Sequence, residues 1–208
     1  MSEPKPSSIS DDINQTLKRV PVVSDSCKDA EVIWRSIVNR QDISSYRWCS
    51  NLICSDCKGV QAYCYLHGIG CPKDPTFAYK LASEVKGSQY GLITMAKCQY
   101  GTERIQAIQL CLRAAELGLG KACYYVGKEL LRGTFVPRDV VEAHKWLKHA
   151  ADMEDPEALC LLANCFLEGK GVTKNISTAI DLLERAKRSG YIIAEFALLF
   201  AHSEAVKV

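Results

Sequence analysis

The sequence contains a repeat, and that repeat sets what the chain can become. Three segments lie in register: CKGVQAYCYLHGIGCPKDPTFAYKLA, ACYYVGKELLRGTFVPRDVVEAHKWLKHAA and ALCLLANCFLEGKGVTKNISTAIDLLERA. Gly68, Gly133 and Gly169 coincide, Asp74, Asp139 and Asn175 follow six residues later, and Ala78, Ala143 and Ala179 four further on. The last two copies are spaced by 36 residues, from Ala122 to Ala158 and from Ala150 to Ala186. A degenerate copy with Gly101, Ala107 and Ala114 lies between the first and third, and the first helix of a fifth copy begins near Ala194.

Each landmark has a physical reading. The glycine ends a first helix where a left-handed backbone is needed, a conformation that costs a residue with a side chain about 1–2 kcal/mol. The Asp or Asn accepts hydrogen bonds from the first amides of a second helix, so its loss costs about 1 kcal/mol. Asp139 with Glu142 predicts a capping box, and Pro75 suits a first helical position. The alanines mark close helix crossings. Such a hairpin leaves one apolar face open and must stack on its neighbour, which predicts an all-α solenoid. No run alternates apolar and polar residues as a strand would.

Composition narrows the function. The 208 residues are 48% apolar and 24% charged, as in an ordinary globular chain. The net charge is +2, and the first 58 residues carry eight basic and eight acidic side chains. A dedicated nucleic-acid binder needs a basic excess, so no nucleic-acid partner is expected. No apolar run approaches the ~20 residues that span a bilayer, so membrane insertion is not expected. The polar N-terminus, with Pro4 and Pro6, lacks the apolar core of a secretory signal and reads as cytoplasmic. Eleven cysteines, an odd number, then point to reduced thiols. The expected organisation is a flexible tail over 1–25, a non-repeat helical cap over 26–54, and a solenoid over 55–208 of about four hairpins plus a closing helix. A short helix around Ile13 to Arg19 and an apolar stretch from Ile43 to Ile53 fall in the first two parts.

These residues resemble the Sel-1-like repeat, a relative of the tetratricopeptide repeat with a slightly longer unit. Ala122, Gly127, Leu130, Gly133, Asp139, Ala143, Trp146 and Ala150 follow its pattern, as do Ala158, Ala163, Phe166, Gly169, Gly171, Asn175, Ala179 and Gly190. The copy from Cys57 keeps Tyr65, Gly68, Gly70, Asp74 and Ala78. The resemblance covers about residues 55 to 205. It implies a right-handed α-solenoid acting as a non-enzymatic adaptor or scaffold, with a protein or peptide partner, no cofactor, and a place in a larger complex. Some members are cysteine-rich and carry a disulfide in each repeat, among them a mitochondrial intermembrane-space assembly factor similar to this chain in size and repeat number. That gives the alternative of a disulfide, metal or thiol protein in that compartment. Against it, the second helices end in Ala114-Ala115, Ala150-Ala151 and Ala186-Lys187, with no thiol to pair with Cys123 or Cys160.

Two constellations are candidate sites. Cys54 and Cys57 form a C-x-x-C with Cys49, Cys64, His67 and Cys71 nearby, which suggests zinc or a redox pair. The register answers most of this: Cys57 stands where Ala122 and Ala158 do, Cys71 where Val136 and Val172 do, and Cys111 where Leu147 and Leu183 do. These thiols replace apolar residues. Cys49, Cys54 and Cys57 remain the weaker, metal-binding alternative. His144, His149 and His202 read as structural, and no catalytic residue is expected. The second constellation is a helix face. Lys121, Lys128 and Arg132 share it with Glu157, Asn164 and Glu168 and with Asp56, Tyr63 and His67. On the inner curve of a solenoid it would be a partner groove, basic beside acidic.

Overall fold

The structure is a computed structural model and describes residues 28–40 and 54–206. The expected tail, the Ile13 to Arg19 helix, the stretch from Ile43 to Ile53, and Cys49 lie outside the described residues. Among the described residues there are ten α-helices and no strand: α1 (Lys28–Arg40), α2 (Ser55–His67), α3 (Pro75–Glu84), α4 (Gln89–Gln99), α5 (Arg104–Glu116), α6 (Gly120–Arg132), α7 (Val140–Asp152), α8 (Pro156–Glu168), α9 (Ile176–Arg188) and α10 (Ile192–Val206).

The repeat acts through local bonds that recur. Helices α2, α6 and α8 end in the left-handed residues Gly68, Gly133 and Gly169, whose amides donate to Cys64, Glu129 and Cys165 carbonyls. The next helix then starts on a carboxylate or amide side chain. Asp74 accepts from Phe77 N–H, Asp139 from Val141 and Glu142 N–H, and Asn175 from Thr178 N–H. The same three residues also donate their own amides back to Tyr65, Leu130 and Phe166 carbonyls at 2.9, 3.1 and 3.0 Å. The capping box therefore forms only in part. Asp139 N–H goes to Leu130, and the Glu142 carboxylate pairs with Lys145 at 2.5 Å.

The units α2–α3, α4–α5, α6–α7 and α8–α9 stack in order, with each second helix packed on the first helix of the next unit. Ala78, Ala107, Ala143 and Ala179 are fully buried at the crossings. At Gly127 an added Cβ would lie 2.8 Å from Leu147 Cγ, so α6 and α7 approach closely there. Ile93, Leu130, Leu147, Leu159 and Leu183 are at most 1% exposed, and each such side chain stabilises by about 1.5–3 kcal/mol. Helix α1 closes one end of the stack. Its Trp34 meets the Tyr63 ring edge-on at 4.6 Å and the Tyr90 ring at 5.0 Å. The architecture is an α-solenoid.

Candidate binding face

The first helices of three units, α2, α4 and α6, carry tyrosines and lysines, and some of these meet across helix boundaries. Lys97 on α4 donates to Tyr63 Oη and lies on His67 Nε2, both at 3.1 Å. Its ammonium also sits 4.8 Å from the Tyr63 ring centre and 5.5 Å from that of Tyr125, the geometry of a cation over aromatic faces. Burial, with the Lys121 charge added, pulls the Lys97 ammonium down to about 8. Burial and then Lys97 hold His67 near 4, so its ring is neutral and accepts from the ammonium.

On α6, Lys128 donates to Tyr124 Oη at 3.2 Å, and Lys121 and Lys128 lie 5.3 and 5.2 Å from the Tyr124 ring centre. Burial raises the phenols of Tyr63, Tyr124 and Tyr125, and the Glu157 charge adds to this. They remain protonated donors. Tyr100, at the C-terminal cap of α4, donates to Glu129, a carboxylate that is 3% exposed.

The residues singled out in the sequence divide into two groups. Tyr63 is 6% exposed and lies within the core, and Lys121 is buried, 2.8 Å from Glu157 and 3.8 Å from Asp155. Neither is the open groove contact that the face pattern suggested, because α8 covers Lys121 and α1 covers Tyr63. Asp155 has its own task as the cap of α8, accepting from Ala158 N–H at 2.9 Å. His67, Arg132, Asn164 and Glu168 are exposed and Lys128 is half-buried. Arg132 lies 3.8 Å from Glu129, and Glu168 is engaged by Lys170 at 2.5 Å. The face therefore joins Lys97, Lys128 and Arg132 on one side, while the Glu157 charge is turned inward to Lys121.

Sequence reading missed Lys97 and Glu129. Each stands four residues before the glycine of its repeat, Gly101 or Gly133, where the other copies have Cys64 and Cys165. Those cysteines are at most 1% exposed. A charge at a register position otherwise apolar was the signal.

The cysteines behave as packing residues. Cys57, Cys64 and Cys123 are fully buried, and Cys54 caps α2 by accepting from Cys57 N–H at 3.2 Å. Burial pushes Cys111 and Cys160 up to about 12, which makes them poor nucleophiles. Among the described residues no group of three or more His, Cys, Asp or Glu has metal-holding geometry; Cys49 lies outside them. His144 Nδ1 lies 3.1 Å from the Val140 carbonyl, and His202 is exposed on α10. No helix among the described residues is long and apolar enough to cross a membrane.

Comparison with known proteins agrees with this architecture. The Sel1 repeat profile matches residues 59–84, 99–119, 120–155 and 156–191, more than half of the chain. No curated protein matches the sequence. Among solved structures, a Sel1 repeat protein from Oxalobacter formigenes superposes with TM-score 0.62 at 20% identity, covering 75% of this chain and 66% of that one. The protective antigen c5321 of uropathogenic Escherichia coli, described as an SLR fold, gives 0.59 at 19% identity over 81% of this chain and 40% of its own. Cysteine rich protein B of Helicobacter pylori gives 0.51 at 24% identity over 61% of this chain and 96% of its own. The chain thus spans 66% and 40% of the length of the first two. At these identities the structures establish the fold, and the four repeat matches establish membership: the chain belongs to the Sel1 repeat family.

Proposed function

We propose that this chain is a non-enzymatic adaptor that holds an acidic segment of a protein partner against the face formed by α4 and α6. Sel1 repeats generally mediate protein–protein interaction. The observation that carries the reading is the row of Lys97, Lys128 and Arg132 set among Tyr63, Tyr124 and Tyr125. The tyrosines hold the lysine ammoniums from beneath, and ammonium and guanidinium groups supply charge-assisted hydrogen bonds to carboxylates. The Cys111 thiol is buried and pushed up to about 12, and the neutral His67 ring is engaged by Lys97, which favours binding over chemistry. Reduced thiols also favour a reducing compartment such as the cytoplasm.

The test is partner capture, with partners identified by co-purification and mass spectrometry. Lys128→Glu with Arg132→Glu reverses charge on the face and is expected to weaken capture at least tenfold with unchanged helicity. Lys148→Glu, on an exposed position of α7, serves as the control and is expected to bind normally. Undiminished capture by the double variant sinks the assignment.

A further inference from the structure

Helix α10 is apolar on both sides. Ala194, Leu198 and Ala201, at most 5% exposed, face the stack. Ile192, Ile193, Phe196, Leu199 and Phe200 are 58–70% exposed. At about 100° per residue, these five fall within an arc of about 120°, opposite the buried three. A helix apolar all round is one covered on both sides. A contiguous apolar patch of this kind marks an interaction surface.

The stripe departs from the repeat at one register position. Leu199 stands 36 residues after Ala163, which itself stands 36 after Gly127. The first unit has Ala62 in this register, and the degenerate one has Met95. At Gly127 there is no room for a Cβ, which would lie 2.8 Å from Leu147 Cγ and 3.1 Å from the Ala143 carbonyl. Leu199 is larger than Gly127, Ala163 and Ala62 at this register, and among the four units only Met95 of the degenerate one matches it in size.

The stripe is also symmetric about Phe196. Ile192 and Ile193 precede it by four and three residues, and Leu199 and Phe200 follow it by three and four. This spacing satisfies an antiparallel pair of identical helices, because a two-fold axis makes every contact reciprocal. Phe196 would lie on its own copy, Ile193 on the partner's Leu199 and Ile192 on the partner's Phe200. Five large apolar residues that are 58–70% exposed offer on the order of 600 Å² per copy for burial, against about 800 Å² per partner in a standard interface. The stripe has no charge that would select a different protein.

We propose that α10 is the contact of a two-fold homodimer, packed antiparallel against α10 of a second copy. The proposal is independent of the lysine-bearing face. Sedimentation velocity of the full chain, from low to high micromolar concentration, is expected to show a concentration-dependent dimer. Phe196→Glu and Phe196→Lys are each expected to be monomeric with unchanged circular dichroism, since residue 196 is on the surface. Mixing the two variants is expected to restore the dimer, because residue 196 then faces its opposite charge across the axis. An unmodified chain that stays monomeric overturns the proposal, and so does a dimer that survives Phe196→Glu. Variants that do not recover on mixing overturn the two-fold register about Phe196.

Discussion

The Lys121 ammonium lies 2.8 Å from Glu157 and 3.8 Å from Asp155, with only 4% of its side chain exposed. It joins α6 to the start of α8 across a repeat boundary. Asp155 is equally buried, and burial raises its carboxyl while Lys121 lowers it. Lys121→Ala strands that carboxylate, and breaking a buried pair from one side costs about 3–5 kcal/mol. Glu157→Gln costs less, because Asp155 remains and Glu157 is 29% exposed. Urea unfolding of both variants measures the difference. Equal losses would mean that Asp155 is not the dependent partner.

Glu154 holds a left-handed backbone, φ 59°, where the units on either side have Gly118 and Gly190 at φ 89° and 85°. That conformation costs about 1–2 kcal/mol for a residue with a side chain. Its carboxylate pairs with Arg185 at 2.7 Å, with side chains 30% and 52% exposed. An exposed pair contributes only about 0–1 kcal/mol. The backbone term is the larger, so Glu154→Gly is expected to stabilise the chain by up to about 1 kcal/mol. A lower thermal midpoint would show that the Arg185 contact outweighs the backbone.

The elements that sequence disclosed are those whose work is local. Gly133 ends a helix and Asp139 starts one by bonds within nine residues, so their identities follow from their own surroundings. The reciprocal half of the capping box was not legible, because the Leu130 carbonyl competes for the Asp139 amide. Lys121 and Tyr63 were read as open because a helical wheel knows only its own helix. Their covers, α8 and α1, depend on how units stack. Lys97 was legible only as an anomaly of register, in the copy where register is weakest.

Thiol content separates a reduced from a stapled solenoid. Cys71, Cys98, Cys111, Cys123, Cys160 and Cys165 are in no disulfide. Denatured, unreduced protein is therefore expected to release at least six titratable thiols to a disulfide reagent. In the native state Cys111 and Cys123 are expected to react far more slowly than Cys98, which is half-buried while they are at most 5% exposed. A count of three or fewer after denaturation would overturn the reduced assignment and support the stapled one.

Stability is expected to peak between about pH 6.5 and 8.5. On the acid side, His67 is held near 4 in the fold but titrates near ~6.5 when unfolded. The unfolded chain takes the proton first, so stability falls as pH drops from about 6.5 towards 4. On the alkaline side two effects oppose. Lys97, near 8 in the fold, loses its proton before an unfolded lysine at ~10.4, which raises stability over that window. Cys111 and Cys160, pushed up to about 12, keep their protons while unfolded thiols ionise near ~8.5, which lowers it. Lys128 is lowered like Lys97, while Cys123, Cys71, Cys98 and Cys165 are raised like Cys111 and Cys160, so six thiols act against two amines and the net slope is downward. Urea midpoints measured across this range test both limbs. His67→Gln is expected to flatten the acid limb alone, and an acid limb unchanged by that substitution would remove His67 as its cause.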